Sequence, residues 1–221
     1  MSLSAHSLKV ITIPPRSGES PQGNIVVMHG WGANAEDAAY FTQMLNLPEM
    51  QILLPEAPFP HPMNPVSGRM WYGFPPDFDF SAQWSHLPDL QASRKLLLAW
   101  LSQLPETTGI PLERTILGGF SQGGAMTLEV GFELPLAGLM VLSGYRHGAI
   151  AASPTQTTPM VLMVHGGADP IVPITAAQET ATTLKQAGVP LRYEEFEDMG
   201  HEVSMTVLNR MEQFVGDRLG G

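Results

Sequence analysis

Short apolar runs alternate with helical patterns along most of this chain. Leu8–Ile13, Ile25–Met28, Met50–Leu54, Thr115–Gly118, Gly138–Leu142, Met160–Val164 and Arg192–Phe196 read as strands. Several are nearly continuous in apolar residues, the pattern of strands buried on both faces. Between them Leu90–Gln103, Gln122–Leu134, Thr175–Ala187 and Ser204–Leu219 read as helices, with a shorter helix over Ala35–Leu45. Gly188-Val189-Pro190 is a strong stop for the third of these. Strand–helix alternation predicts an α/β fold with a mostly parallel sheet, right-handed crossovers and helices on both faces. In such sheets reactive groups gather at the carboxyl ends of the strands.

One stretch breaks the pattern. From Pro55 to Pro88 the chain is rich in proline, glycine and aromatics, and it reads as a long loop. Loops of that length in a compact domain tend to serve function. Its apolar side chains Phe59, Met63, Met70, Trp71 and Phe74 are expected to cap the core or line a pocket.

With 221 residues, 43% of them hydrophobic and 14% charged, the chain is long enough for an ordinary core, and residues 1–221 are expected to form a single domain. The formal net charge of −10 disfavours nucleic acid and anionic membrane surfaces as partners. There is no cysteine, which removes disulfides, thiolate nucleophiles and thiolate metal sites. The opening MSLSAHSLKVITI does not read as a secretory signal, and no apolar run approaches the length of a membrane span. The expectation is a cytoplasmic protein with no integral membrane association.

The sharpest chemical signal is Gly119-Phe120-Ser121-Gln122-Gly123, which follows the apolar run TILG and opens a helical pattern. A G-x-S-x-G sequence in that context is a nucleophile elbow. The serine sits on a tight strand-to-helix turn, where side chains two residues before and after it would clash. A serine hydroxyl needs a base, and the base needs a carboxylate on its other nitrogen. With the chain order serine, acid, histidine, His201 in EDMGHEV suits the base and Asp169 in HGGAD the acid. His165 precedes the acid, and His147 has no carboxylate near it in sequence, so both read as structural. Asp198, three residues before His201, would have to fold back to reach the imidazole and reads as a turn residue.

An oxyanion needs two preorganised N–H donors. One is the backbone N–H of Gln122. The other is expected from Trp31, where an apolar strand runs into His29-Gly30-Trp31-Gly32. No metal-ligand spacing, P-loop or dinucleotide-binding glycine motif appears, so no metal and no cofactor are expected.

RTILGGFSQGGAMTL, VVMHGWGANAED, GRMWYGF, MVLSGY, VHGGADPIVP and MGHEV together resemble the phospholipase/carboxylesterase family, which includes acyl-protein thioesterases and bacterial carboxylesterases. The resemblance runs from Ile25 to Val215. It implies the α/β-hydrolase fold with no large separate cap domain, and it places a triad on Ser121, Asp169 and His201 and oxyanion donors on Trp31 and Gln122. It also implies an acyl pocket bordered by Trp31, Met70, Trp71 and Ile171. Gly73 departs from the acidic residue that family members commonly carry after WY.

The expected activity is hydrolysis of carboxyl esters of short to medium acyl chains through an acyl-enzyme, with lysophospholipid or acyl-protein thioester hydrolysis as the alternative. A scaffold that captures an apolar ligand without turnover is the reading from a different class. A small acyl ester or thioester is the expected partner, and the apolar 55–88 segment would allow a homodimer.

Overall fold

The computed structural model describes residues 8–75, 79–80, 84–149 and 158–220. Its centre is a seven-stranded sheet. The strands are β1 (Val10–Ile13), β2 (Gly23–Met28), β3 (Met50–Pro55), β6 (Thr115–Phe120), β7 (Gly138–Leu142), β8 (Met160–Gly166) and β9 (Leu191–Phe196), in the order β1-β3-β2-β6-β7-β8-β9. Only β1 is antiparallel, pairing Val10 with Pro55 at the sheet edge. Every other neighbouring pair is parallel, as the strand–helix alternation predicts.

The continuous apolar runs have their expected cause. Alternate residues of β2 feed two separate cores: Val26 and Met28 on one face, Ile25 and Val27 on the other. On the first face pack α2 (Pro88–Ser102), α4 (Gln122–Gly131) and α5 (Ile174–Gln186), through residues such as Leu97, Met126 and Leu184. On the second pack α1 (Ala35–Thr42) and α6 (Met205–Leu219), through Ala38, Leu208 and Phe214. Each fully buried large side chain contributes about 1.5–3 kcal/mol of transfer free energy, so both faces are strongly specified. Among the described residues no helix is long and apolar enough to cross a membrane.

Three expectations need correction. The 55–88 segment is not one long loop: it contains a two-stranded antiparallel ribbon, β4 (Phe59–His61) and β5 (Asn64–Met70). Pro60, Pro62 and Pro65 hide it in the sequence because they break the alternation of a strand, yet a ribbon with open edges tolerates their missing N–H groups. Residues 76–78 and 81–83 of that segment lie outside the described residues. Helix α4 stops at Gly131, three residues early, with Phe132 as its C-cap and Pro135, which cannot continue a helix, shortly beyond. A further short helix, α3 (Leu104–Thr108), follows α2, with Pro105 in its first turn and Gly109 at φ 74° closing it.

Candidate active site

Strand β6 runs into Ser121, whose backbone stands at φ 55° and ψ −118°. A non-glycine residue there carries strain of order 1–3 kcal/mol. Hydrogen bonds hold it: Ser121 N donates to Leu142 O at 2.8 Å, and Ala125 N donates to Ser121 O at 3.0 Å. The flanking glycines are sterically required. A Cβ on Gly119 would lie 2.3 Å from the carbonyl carbon of Gly123, and one on Gly123 would lie 2.3 Å from Met28 O. Ser121 thus stands at the N-terminus of α4, between the ends of β2 and β7.

The carboxylate arrives two strands away. After β8 the chain turns so that Asp169 Oδ1 accepts from Ile171 N at 2.8 Å and Val172 N at 2.9 Å. Its Oδ2 accepts from Nδ1 of His201 at 2.7 Å. Gly166 and Gly167 permit this meeting: a Cβ on Gly166 would sit 2.1 Å from Met199 O, and one on Gly167 2.8 Å from Glu197 O. The turn before His201 therefore lies directly on the end of β8. Burial raises the Asp169 carboxyl's pKa, but the hydrogen bonds from His201, Val172 and Ile171 outweigh it and hold the group below its ordinary value. Asp169 is ionised at neutral pH and fixes a single tautomer of His201.

The Phe120 ring lies 4.7 Å from the imidazole of His201, centroid to centroid, so the elbow and the histidine are in contact. Among the described residues no hydrogen bond joins the Ser121 hydroxyl itself to His201. Contacts of this kind are commonly long without substrate and tighten when it binds. The rival Asp198 is exposed. His165 is buried behind the dyad, donating through Nε2 to Val172 O at 2.9 Å. His147 is also buried, but it does have a carboxylate: Glu129 Oε2 lies 3.0 Å from its Nδ1. The signal for this pair was a lone carboxylate in the apolar helix QGGAMTLEVG.

The loop after β2 is built as tightly. Gly30 admits the elbow, since a Cβ there would meet Ser121 Cβ at 3.3 Å. The ribbon holds the loop from the other side: Gly32 N donates to Arg69 O, and Arg69 N donates to Ala33 O, both at 2.8 Å. His29 is buried, with Nδ1–H donating to Gly30 O at 2.8 Å and Nε2 accepting from Ala57 N at 3.1 Å. Burial lowers its pKa and keeps it neutral. The backbone N–H groups of Trp31 and Gln122 are bonded to no protein acceptor among the described residues.

The four residues expected around an acyl pocket separate. Trp31 and Ile171 are exposed, at 36% and 56%, and Met70 is half-buried at the end of β5. Trp31 packs edge-on to Phe74 at 5.5 Å. Trp71 does not face a pocket: it has no exposed surface, and its indole donates to His29 O at 3.0 Å. Its bulk fills the core behind the β2 loop. Missed altogether is the side-chain amide of Gln122, which accepts from Trp71 N and donates to Tyr72 O, both at 2.8 Å, tying the elbow to the segment after the ribbon.

A cavity of about 320 Å³ opens beside His201, between α1 and the turn 201–203, with Gly30 and Phe120 in its walls. The sequence reading missed it, because nothing in α1 announces which of its faces meets the turn. Among the described residues no group of three or more metal-ligating side chains converges.

The model of the phospholipase/carboxylesterase family matches residues 13–218. Acyl-protein thioesterase 1 of Neurospora crassa is 31% identical over 208 residues, covering 86% of this chain and 82% of the relative. Lysophospholipase-like protein 1 of Mus musculus is 26% identical over 94% of this chain and 93% of its own length. Among solved structures, the esterase PE8 superposes with a TM-score of 0.85 at 27% identity, over 97% of this chain and all of that one. The chain therefore belongs to the phospholipase/carboxylesterase family of α/β-hydrolases and is a serine hydrolase acting on ester bonds.

Proposed function

We propose that Ser121, His201 and Asp169 form the catalytic triad of a carboxylesterase for short to medium acyl chains. The 2.7 Å pair between Asp169 and His201, in contact with the elbow that strains Ser121, carries this reading. His201 takes the hydroxyl proton as Ser121 Oγ attacks the carbonyl carbon. The N–H groups of Trp31 and Gln122 hold the resulting oxyanion, aided by the positive end of α4. His201 then gives the proton to the leaving oxygen or sulfur. Water enters, loses a proton to His201 and releases the acid from the acyl-enzyme. Asp169 remains ionised throughout and stabilises the imidazolium. The acyl chain is assigned to the side that carries the exposed Trp31 and Ile171 and the half-buried Met70.

A thioester in place of the oxygen ester is the second reading, favoured by the acyl-protein thioesterases among the relatives. The same triad serves both.

Ser121→Ala tests the assignment. The expected result is a fall in p-nitrophenyl butyrate hydrolysis of about 10⁴- to 10⁶-fold with an unchanged unfolding midpoint, together with loss of covalent labelling by a fluorophosphonate. Retained turnover would refute the triad, and a wild-type protein that neither turns over nor labels would be a binding scaffold instead.

A further inference from the structure

The cavity beside His201 has a chemistry of its own. One wall is the imidazole, Glu202 and Val203. The facing wall is α1, which presents Asp37, Tyr40 and Met44, and the surfaces are otherwise mainly apolar. Among the described residues the two carboxylates are its only formally charged lining groups, and no lysine or arginine lines it. Glu202 is exposed and makes no ion pair among the described residues. Asp37 accepts from Asn34 N at 3.0 Å in the capping box of α1, which uses one oxygen and leaves the charge in place. Tyr40 and Met44 are exposed at 78% and 47%, unusually open for large apolar side chains flanking a reactive histidine.

The position of the cavity decides which part of a substrate it receives. In acylation the Ser121 Oγ–carbon bond forms and the carbon–oxygen or carbon–sulfur bond of the substrate breaks. The proton taken from Ser121 travels on His201 to the departing atom. That atom must lie within hydrogen-bond reach of the imidazole, so whatever is attached to it extends over the imidazole's flank. Water for deacylation uses the same general base and needs that space vacated first. The acyl chain, by contrast, lies toward Trp31 and Ile171.

We infer that the α1 cavity is the leaving-group subsite, and that its two carboxylates select esters of neutral or cationic apolar alcohols against anionic ones. This rests on the triad proposed above. At a solvated site each carboxylate changes the energy of a nearby unit charge by an amount worth several-fold in rate.

Three butyrate esters that share one acyl-enzyme test this: the choline ester, its uncharged isostere 3,3-dimethylbutyl butyrate, and 2-sulfoethyl butyrate. The quantity read is the kcat/KM ratio of cationic to anionic ester, since kcat/KM reports acylation. The expected wild-type ratio is roughly tenfold. Glu202→Gln should contract it by about threefold, and Met44→Lys, which sets a cation at the mouth, should contract or invert it. Any general effect of Glu202→Gln on His201 cancels in the ratio. The acyl-length profile on p-nitrophenyl esters should keep its shape in both variants. Ratios that do not move in either variant, or a shifted acyl-length profile with an unmoved ratio, would overturn the assignment. If Ser121→Ala abolishes hydrolysis while these ratios stay fixed, the triad stands and only the subsite falls. If Ser121→Ala remains active, the triad itself has failed.

Discussion

His201 and His147 each hold a carboxylate on Nδ1, and the two pairs differ in what the other nitrogen does. His147 accepts through Nε2 from the Tyr72 hydroxyl at 2.8 Å, and the Tyr72 and Tyr145 hydroxyls are 2.6 Å apart. Its side chain is 1% exposed, and Arg94 supports Glu129 from outside at 3.5 Å. Burial pushes both tyrosines' pKa values up, so the chain of hydroxyls stays neutral. Every hydrogen-bonding position on that imidazole is taken. His201 keeps 15% of its side chain exposed, and its Nε2 has no protein partner among the described residues. A histidine–carboxylate pair alone therefore does not single out a catalytic base; the proposed triad differs from the buried pair in having an unoccupied second nitrogen beside a strained serine.

Asp169→Asn should break the first pair most severely. An amide can present its N–H toward Nδ1 and drive the proton to the other nitrogen, leaving a base that faces the wrong way. The expected loss in kcat is about 10⁴-fold, with p-nitrophenyl butyrate as the readout. A loss below tenfold would show that the tautomer is fixed by something other than this carboxylate.

His147→Leu addresses the second pair and should reverse the pattern. Glu129 keeps Arg94 and partial exposure, so the penalty is smaller than for a wholly buried unpaired charge, about 2 kcal/mol. Urea denaturation should show that loss, while kcat/KM per folded molecule stays within about threefold. A fall in activity of a hundredfold at unchanged stability would mean that the Tyr72–His147 chain acts on the site, through the backbone of Tyr72 that Gln122 grips.

The two regions were unequally legible in the sequence. The elbow announces itself because Gly119 and Gly123 cannot carry a Cβ, and such a steric demand leaves a local pattern. Asp169 and His201 follow from chain order and from the strands they terminate. The Glu129–His147 pair spans 18 residues and depends on how α4 turns against the segment after β7, which no local pattern encodes. Trp71 was legible as important but not in direction. The same indole serves a pocket wall or a core, and the choice lies in its hydrogen bond to His29 O. The ribbon was hidden by its prolines, although Arg69 within it fixes the loop that carries Trp31.

His29 and His165 belong with His147, and they extend the comparison to pH. Both are buried with pKa values lowered from the ordinary value, in each case chiefly by desolvation. In the unfolded chain they protonate below about pH 6.5, whereas in the fold they resist protonation until lower pH. Their contribution to stability is therefore complete above that value and is lost as pH falls from it through the folded pKa values. Each lowers stability by at most about 1.4 kcal/mol per pH unit in that window. Asp169, whose pKa is depressed, adds a further loss at still lower pH, when its carboxylate protonates and releases His201. Urea midpoints should hardly change from pH 8 to 7 and fall from pH 6.5 to 5. His165→Gln, which retains a donor for Val172 O while removing the titration, should flatten that acid slope even if it is less stable at pH 7.5. A slope as steep in this variant as in the wild type would show that His165 does not resist protonation in the fold. His29 would then be left to carry the histidine part of the acid slope.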